Sequence, residues 1–277
     1  MDLKSSEKPI SSWLSQDKFK ITYNAEGTRE VAKLFDGKRY FDYPKPTSLI
    51  KLLVAQGTSS DSIVLDFFSG SGTTAHAVMQ VNAEDGGSRK WIMVQLHELT
   101  DENSDAYKAG YKTIPEIALE RIRRAGDKIA KDHPEAKVDY GFRVLKIDET
   151  NYKEVYKYAG EYEQSTLLDA VDNVKEDRSE LDLLFGVLTQ SSLELNRPLE
   201  TRDIAGANIF LYDYFGAVSG LVACFAKSIN EETIKEIAKL KPLTAVFRDS
   251  SFPDSQAKVN LAEHFRTISP ETKVKVI

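Results

Sequence analysis

An α/β fold is predicted, a partial doubly wound parallel sheet followed by a second, C-terminal α/β domain. Three observations carry it. Ser62–Phe68 and Lys90–Leu96 are short, almost continuous apolar runs, the pattern of parallel strands buried on both faces. A helical pattern follows each of them, so the order is strand, helix, strand, helix. After about residue 150 a fresh set of strand and helix patterns begins, which places a domain boundary there and gives domains of 1–150 and 151–277.

In order, residues 1–40 are polar, with Trp13, Phe19, Ile21 and Tyr23 suggesting short strands and a helix expected from Gly27 to Phe35, stopped by Asp36-Gly37. Tyr43-Pro44-Lys45-Pro46 is an extended turn, because each proline fixes its own φ and keeps its predecessor out of the helical region. Thr47 is expected to cap a helix with Leu49, Ile50, Leu52 and Leu53 inward. After the strand at 62–68 comes a glycine loop, then a helix from Thr73 to about Val81 and a polar loop at Asn82–Arg89. Thr113-Ile114-Pro115-Glu116 has the form of a capping box with proline in the first turn, opening a helix to about Asp132. Gly141–Ile147 is expected as a third strand, and Asp148–Arg178 as a charged helical connector. In the second domain, helices are expected at Leu181–Leu195, Glu231–Leu240 and Gln256–Thr267. Strands are expected at Ala207–Tyr214, Leu221–Ala226 (a hairpin pair), Leu243–Arg248 and Lys273–Ile277.

Composition excludes several classes. A formal charge of −6 argues against a wholly cationic nucleic-acid binder, though a local basic patch is compatible with it. The single cysteine, Cys224, lies in an apolar run and reads as a small core residue, so there is neither an internal disulfide nor a multi-cysteine metal site. No apolar stretch reaches the ~18 residues of a membrane span, and Met1–Lys8 lacks the apolar core of a signal peptide. A cytoplasmic location without membrane contact is expected. The histidines His76, His97, His133 and His264 are scattered, and no metal site is expected.

The chemistry centres on Asp66-Phe67-Phe68-Ser69-Gly70-Ser71-Gly72-Thr73-Thr74. A parallel strand ends in an acidic residue, two glycines permit a sharp turn and close backbone approach, and a helix N-terminus follows with unpaired amides. Such loops lie where open α/β sheets bind ligands. The loop lacks the Gly-Lys-Ser/Thr ending of a P-loop, and Ser69 stands where a nucleophile elbow needs glycine. Asp66 suits an amine-bearing or cationic ligand better than a pyrophosphate, which disfavours a dinucleotide binder. Glu98, just past the second strand, is placed to accept hydrogen bonds from a ribose, the longer than usual spacing being accounted for by Asn82–Arg89. The rigid turn and helix start at Pro44–Ile50 could close over another part of the same ligand. Each of the three has an ordinary structural reading when taken alone. Finally, Arg121, Arg124, Lys128 and Lys131 recur at helical spacing, giving a basic stripe that could meet DNA phosphates, diluted by Glu116, Glu120 and Asp127.

Taken together, Phe41–Ile50 followed by Leu65–Val78 resembles the N6-adenine/N4-cytosine DNA methyltransferases, and the order of the two segments is similar to their beta class. Asn82–Gly87, Val94–Leu96, Thr100–Ser104, Ala109–Ile114, Glu120–Gly126, Lys241–Leu243 and Phe247–Phe252 narrow the resemblance to the modification subunit of type III restriction-modification systems. The resemblance runs from about residue 9 through nearly the whole chain. It implies a Rossmann-like fold, S-adenosylmethionine as cofactor, and contacts to it from Lys45, Pro46, Ser48, Asp66, Phe67, Phe68, Gly70, Ser71, Gly72, Thr73, Thr74 and Glu98. It further implies DNA as partner of the complete enzyme, a homodimer and a restriction subunit. Residues 1–40 would then be the remainder of a target-recognition or linker region.

One departure qualifies this. The family's catalytic tetrapeptide, Asp/Asn/Ser-Pro-Pro-Tyr/Phe/Trp, requires adjacent prolines, and none of the nine prolines here is adjacent to another. No residue of the chain is therefore assigned as catalytic. The expected function is the cofactor-binding portion of an adenine-N6 methyltransferase, inactive alone. The alternative is a non-catalytic assembly or dimerisation module of such a system.

Overall fold

A computed structural model describes residues 24–153 and 173–277, so the strands expected around Trp13–Tyr23 and most of the connector expected at Asp148–Arg178 lie outside the described residues. The chain forms two compact units, Met1–Phe142 and Arg143–Ile277. Both are mixed α/β.

In the first unit, helix α1 (Asn24–Leu34) and helix α2 (Thr47–Gly57) precede strand β1 (Ile63–Asp66). Helix α3 (Thr73–Asp85), strand β2 (Lys90–Met93), the short α4 (Asp105–Lys108) and the long α5 (Ile114–Asp132) follow. β1 and β2 pair in parallel, Ile63 opposite Lys90 and Asp66 opposite Met93, as a strand–helix–strand crossover requires. Helix α5 starts from the expected capping box: Thr113 and Glu116 cap each other's backbone amides with proline in the first turn. Its apolar face packs Ile122, Ala125 and Ile129 on Ala75 and Met79 of α3.

Four expectations are corrected here. Thr47 is the first helical residue rather than the cap of α2, Pro46 occupying the cap position without a side-chain bond. Leu53 faces outward and Ile50 and Val54 face in, since the real contact is with Val78 and Val81 of α3. Helix α3 continues through Asp85 because Gly86, at φ 72°, closes it with an N–H bond to Asn82 O, and the buried Asn82 side chain then ties down Arg89 at both its backbone N–H and C=O. Gly141–Ile147 forms no strand: Val144, Leu145 and Ile147 are exposed, and no neighbouring strand offers a ladder.

The strands β1 and β2 also differ from the expected two-sided burial. Val64, Trp91 and Met93 face the helices, whereas Ile63 (62% exposed), Leu65 and Ile92 alternate onto an open face, continued past the strand ends by Phe67, Val94 and Leu96. The period-2 geometry of a strand puts all of one parity on that side.

The second unit has helix α6 (Glu180–Gln190), strands β3 (Leu199–Ile204), β4 (Ala207–Tyr212) and β5 (Leu221–Cys224), helix α7 (Glu231–Leu240), strand β6 (Thr244–Phe247), helix α8 (Ser255–Ile268) and strand β7 (Lys273–Val276). Its sheet order is β3-β4-β5-β6-β7, antiparallel over the first two pairings and parallel over the last two. The β4–β5 hairpin and the helix entered at Asn230 form as read; β3 had no predictive pattern, since four of its six residues are charged or hydroxylic and face solvent. Helix α6 covers one face with Leu183, Leu184, Val187 and Leu188, and α7 and α8 cover the other, burying Cys224. Burial pushes its thiol up to about 11. The small buried hydrophobe read from its surroundings is what it is.

The contrast within the first sheet is measurable. Met79→Ala, at a position 1% exposed, is expected to cost about 2–5 kcal/mol, and Ile63→Ala less than about 1 kcal/mol. Urea unfolding of the two variants checks this.

Candidate functional site

The glycine loop lies at the carboxyl end of β1, between that strand and the first turn of α3. Its shape is fixed from three directions. The backbone is tied to the neighbouring strand's extension by Ser69 N to Val94 O (3.1 Å) and Val94 N to Asp66 O (2.8 Å). The Gln95 side chain accepts from Gly70 N at 2.8 Å. Asp66 accepts from Phe68 N at 3.1 Å and from the Thr74 hydroxyl at 2.6 Å, so the acidic residue braces its own loop from strand end to helix start.

Both glycines are required by conformation and by space. Gly70 has φ 49° and Gly72 φ 76°, and a Cβ on Gly72 would stand 3.1 Å from the Ile122 side chain of α5. That close approach brings α5 directly under the loop. Thr73, Thr74 and Ala75 then open α3 with amides that no carbonyl of the preceding loop accepts, whereas His76 N reaches Gly72 O at 3.3 Å. Phe67 and Phe68 extend outward as a tilted ring pair 5.2 Å apart, Phe68 being 83% exposed.

The Pro-Lys-Pro segment meets the loop. Lys45 O accepts the Thr73 hydroxyl at 3.4 Å, with Pro44 and Pro46 buried. Helix α1 holds the segment from behind: Glu30 accepts both the Thr47 N–H (2.9 Å) and the Thr47 hydroxyl (2.7 Å). A Cβ on Gly27 would lie 2.2 Å from Pro44 O, so this helix–turn contact admits glycine alone.

Of the residues expected to contact a cofactor, the structure joins Lys45, Asp66, Gly70, Ser71, Thr73 and Thr74 through direct or shared bonds. Glu98 is exposed, five residues beyond the end of β2; its carbonyl accepts Ile114 N at 2.9 Å, and none of its hydrogen bonds reaches the glycine loop. Gln95, not singled out from the sequence, makes that link instead.

Arg121 is a correction. It was expected on an exposed basic stripe, yet its side chain is fully buried, donating through Nη1 to Ser71 Oγ and Thr73 Oγ1, both at 2.6 Å, and through Nη2 to Thr47 Oγ1 at 3.3 Å. The reason was legible: position 121 falls three after Ala118, four after Ile117 and four before Ala125, which is the apolar face. Arg124 is half-buried over the Phe35 ring, bonded to Glu120, Asp36 and Leu34 O, and the Glu120 and Asp36 carboxylates raise its pKa. Lys128 is exposed and ion-paired with Asp132. Among the described residues no group of His, Cys, Asp and Glu could hold a metal ion, and no helix is long and apolar enough to cross a membrane.

This architecture, a glycine loop between a parallel strand and a helix with a proline-rich turn locked against it, lies within residues 3–106, which match the family model described as a DNA methylase. The particular relatives are modification subunits. The chain is 47% identical over 123 residues to the type III restriction-modification enzyme StyLTI Mod subunit of Salmonella typhimurium, covering 44% of this chain and 19% of that protein. It is 39% identical over 139 residues to the EcoPI Mod subunit of Escherichia phage P1 (50% and 21%), and 29% identical over 257 residues to the EcoP15I Mod subunit of Escherichia coli (90% and 37%). The resemblance read from the motifs is thereby borne out, and the chain spans from a fifth to little over a third of these relatives' lengths.

His76, one turn into α3, has a buried Nδ1 without a partner, and burial, then the charges of Arg121, Lys128 and Lys51, lower its pKa from 6.5 to about 3. The unfolded chain takes up this proton below pH 6.5 and the folded chain refuses it, so stability is complete above that pH and declines as pH falls toward about 3. His76→Gln is expected to flatten the decline, which reaches about 1.4 kcal/mol per pH unit in the parent chain. Equal slopes in urea titrations of both proteins between about pH 7 and 5 would refute the assignment.

Proposed function

We propose that this chain is the S-adenosylmethionine-binding portion of a site-specific DNA adenine-N6 methyltransferase of type III restriction-modification kind, its first sheet belonging to a doubly wound one. The observation that carries the reading is the direct joining of the Lys45–Thr47 turn to the Ser69–Thr74 loop. Two segments some twenty residues apart are thereby joined at a strand's carboxyl end.

The residues present fit the cofactor. Amides at the start of α3 that are unpaired among the described residues suit a carboxylate or other electron-rich group. The exposed rings of Phe67 and Phe68 offer an apolar platform for a purine. The exposed Glu98 carboxylate suits ribose hydroxyls, and Lys45, Pro46 and Ser48 would line the methionine end. Asp66 acts differently from a ligand-facing acid: with two acceptor positions spent on Phe68 N and Thr74, its first task is to hold the loop. When bound, S-adenosylmethionine supplies an activated methyl group; these residues orient it and exclude water from one side.

The acceptor side is not assigned to any residue here, since the Pro-Pro tetrapeptide is absent from the 277 residues. Arg124 and Lys128 remain as the phosphate-facing residues of α5, now without Arg121. In the complete enzyme the partners would be duplex DNA, a second copy and a restriction subunit.

Titration calorimetry with S-adenosylmethionine tests the proposal. Binding at micromolar to millimolar Kd is expected, with at least roughly tenfold loss in Gly72→Val, whose side chain must displace Ile122. Labelled-methyl transfer to unmethylated DNA by this chain alone is expected to be nil. Absence of binding at millimolar ligand would favour the passive assembly module, and methyl transfer without added polypeptide would overturn the assignment of the acceptor side elsewhere.

A further inference from the structure

We infer that Arg121 is the positioning residue that couples the two cofactor segments, so that the glycine loop and the start of α2 are ordered together or not at all. The cofactor arm of this inference rests on the proposed function; the coupling itself does not.

The guanidinium of Arg121 is the only group with bonds to both segments through ionic hydrogen-bond donors among the described residues. Two hydroxyls of the loop, on Ser71 and Thr73, share Nη1, and the first residue of α2, Thr47, takes Nη2. The side chain is 0% exposed, and no carboxylate ion-pairs with it among the described residues; the nearest compensating charge is Glu30, one hydroxyl away through Thr47. Burial lowers the pKa of the guanidinium to about 10 while Glu30 opposes the change, so the charge persists at neutral pH. Its Nε is buried with no acceptor.

A buried cation satisfied only by neutral hydroxyls has a steep demand on their positions. Losing any one leaves a charged donor unpaired in a buried site. The three hydroxyls come from two segments separated by 24 to 26 residues of chain, and the arginine from a third a further 48 residues on. Two of the three hydroxyls are also committed elsewhere: Thr47 donates to Glu30 and Thr73 donates to Lys45 O. The chain Glu30–Thr47–Arg121–Ser71/Thr73 is therefore one network of polar groups, and displacing the loop displaces α2's first turn.

A lysine keeps the charge but offers a point ammonium, which cannot span the three oxygens with the arginine fork's geometry. Methionine removes the charge while keeping much of the volume. Thr47→Val deletes the α2 side of the network without touching α5 or the loop.

Hydrogen–deuterium exchange on the free chain is the deciding experiment. In Arg121→Lys and Arg121→Met, peptides covering 46–51 and 69–75 are expected to exchange roughly tenfold faster together, with peptides of β4 and β5 unchanged. Thr47→Val is expected to accelerate the 69–75 peptides as well as its own, and to add nothing further in the Arg121→Met background. Thr47→Val changes confined to 46–51, or additive effects in the double variant, would overturn the coupling. Should Arg121→Met fail to fold, Arg121→Lys and Thr47→Val decide the matter alone. Calorimetry of the same set with S-adenosylmethionine keeps the two readings apart. No binding by the parent chain defeats the cofactor assignment and leaves the exchange result standing. Binding retained within about twofold in Arg121→Lys, alongside uncoupled exchange, overturns the cofactor arm.

Discussion

A fully buried charged guanidinium dictates the arrangement of what surrounds it, and in the first unit that guanidinium belongs to Arg121. Desolvating such a cation is costly enough that oxygen acceptors must be held within bonding distance. Here they are hydroxyls from the glycine loop and from the first turn of α2, so the demand of one side chain on α5 fixes two segments that would otherwise be independent surface turns. The choice of serine and threonine at 71, 73 and 47 follows from the same demand. Apolar residues would leave the charge bare.

That arrangement depends in turn on close backbone approach. Ile122 follows Arg121 on α5 and sits against Gly72, so the helix delivers the guanidinium beneath the loop only because position 72 lacks a side chain. On the other side, α1 can offer Glu30 to Thr47 only because Gly27 lets the helix backbone meet Pro44 O. The positive φ at Gly70 and Gly72 explains why glycine is needed for the turn; the neighbours explain why it is needed for the packing. The two reasons coincide at Gly72, whereas at Gly27 space alone decides.

Much of this was legible in the sequence. The loop, the proline turn, the capping box at Thr113 and the helix entered at Asn230 each rest on local chemistry, and local chemistry is what sequence patterns encode. The sheet of the second unit was also readable, because Leu221–Phe225 is apolar on both parities and helices do cover both faces. The same pattern at Ile63–Phe68 led to the same reading, but burial of a strand is a property of its neighbours. Val64 found helices and Ile63 and Leu65 did not. Gly141–Ile147 failed for a related reason: a strand needs a partner's ladder, and Phe142 instead packs its ring on Trp91 while Arg143 bonds the carbonyls of Leu195 and Arg197.

Arg121 shows most clearly that position on a helix outweighs residue type. Four basic residues at helical spacing suggested a solvated stripe, yet the helix period had already put 121 on the face shared by Ile117, Ala118, Ile122 and Ala125. Arg124 lies outside that buried face and behaves accordingly, half-exposed and paired with carboxylates. A cation on an apolar stripe has to find acceptors from another element, and the hydroxyl-rich Ser69–Thr74 loop, already read as the ligand loop, was the evident source. Position within the period, taken together with a neighbouring cluster of hydroxyls, is therefore the sequence signal that moves Arg121 from a DNA surface to the support of the glycine loop.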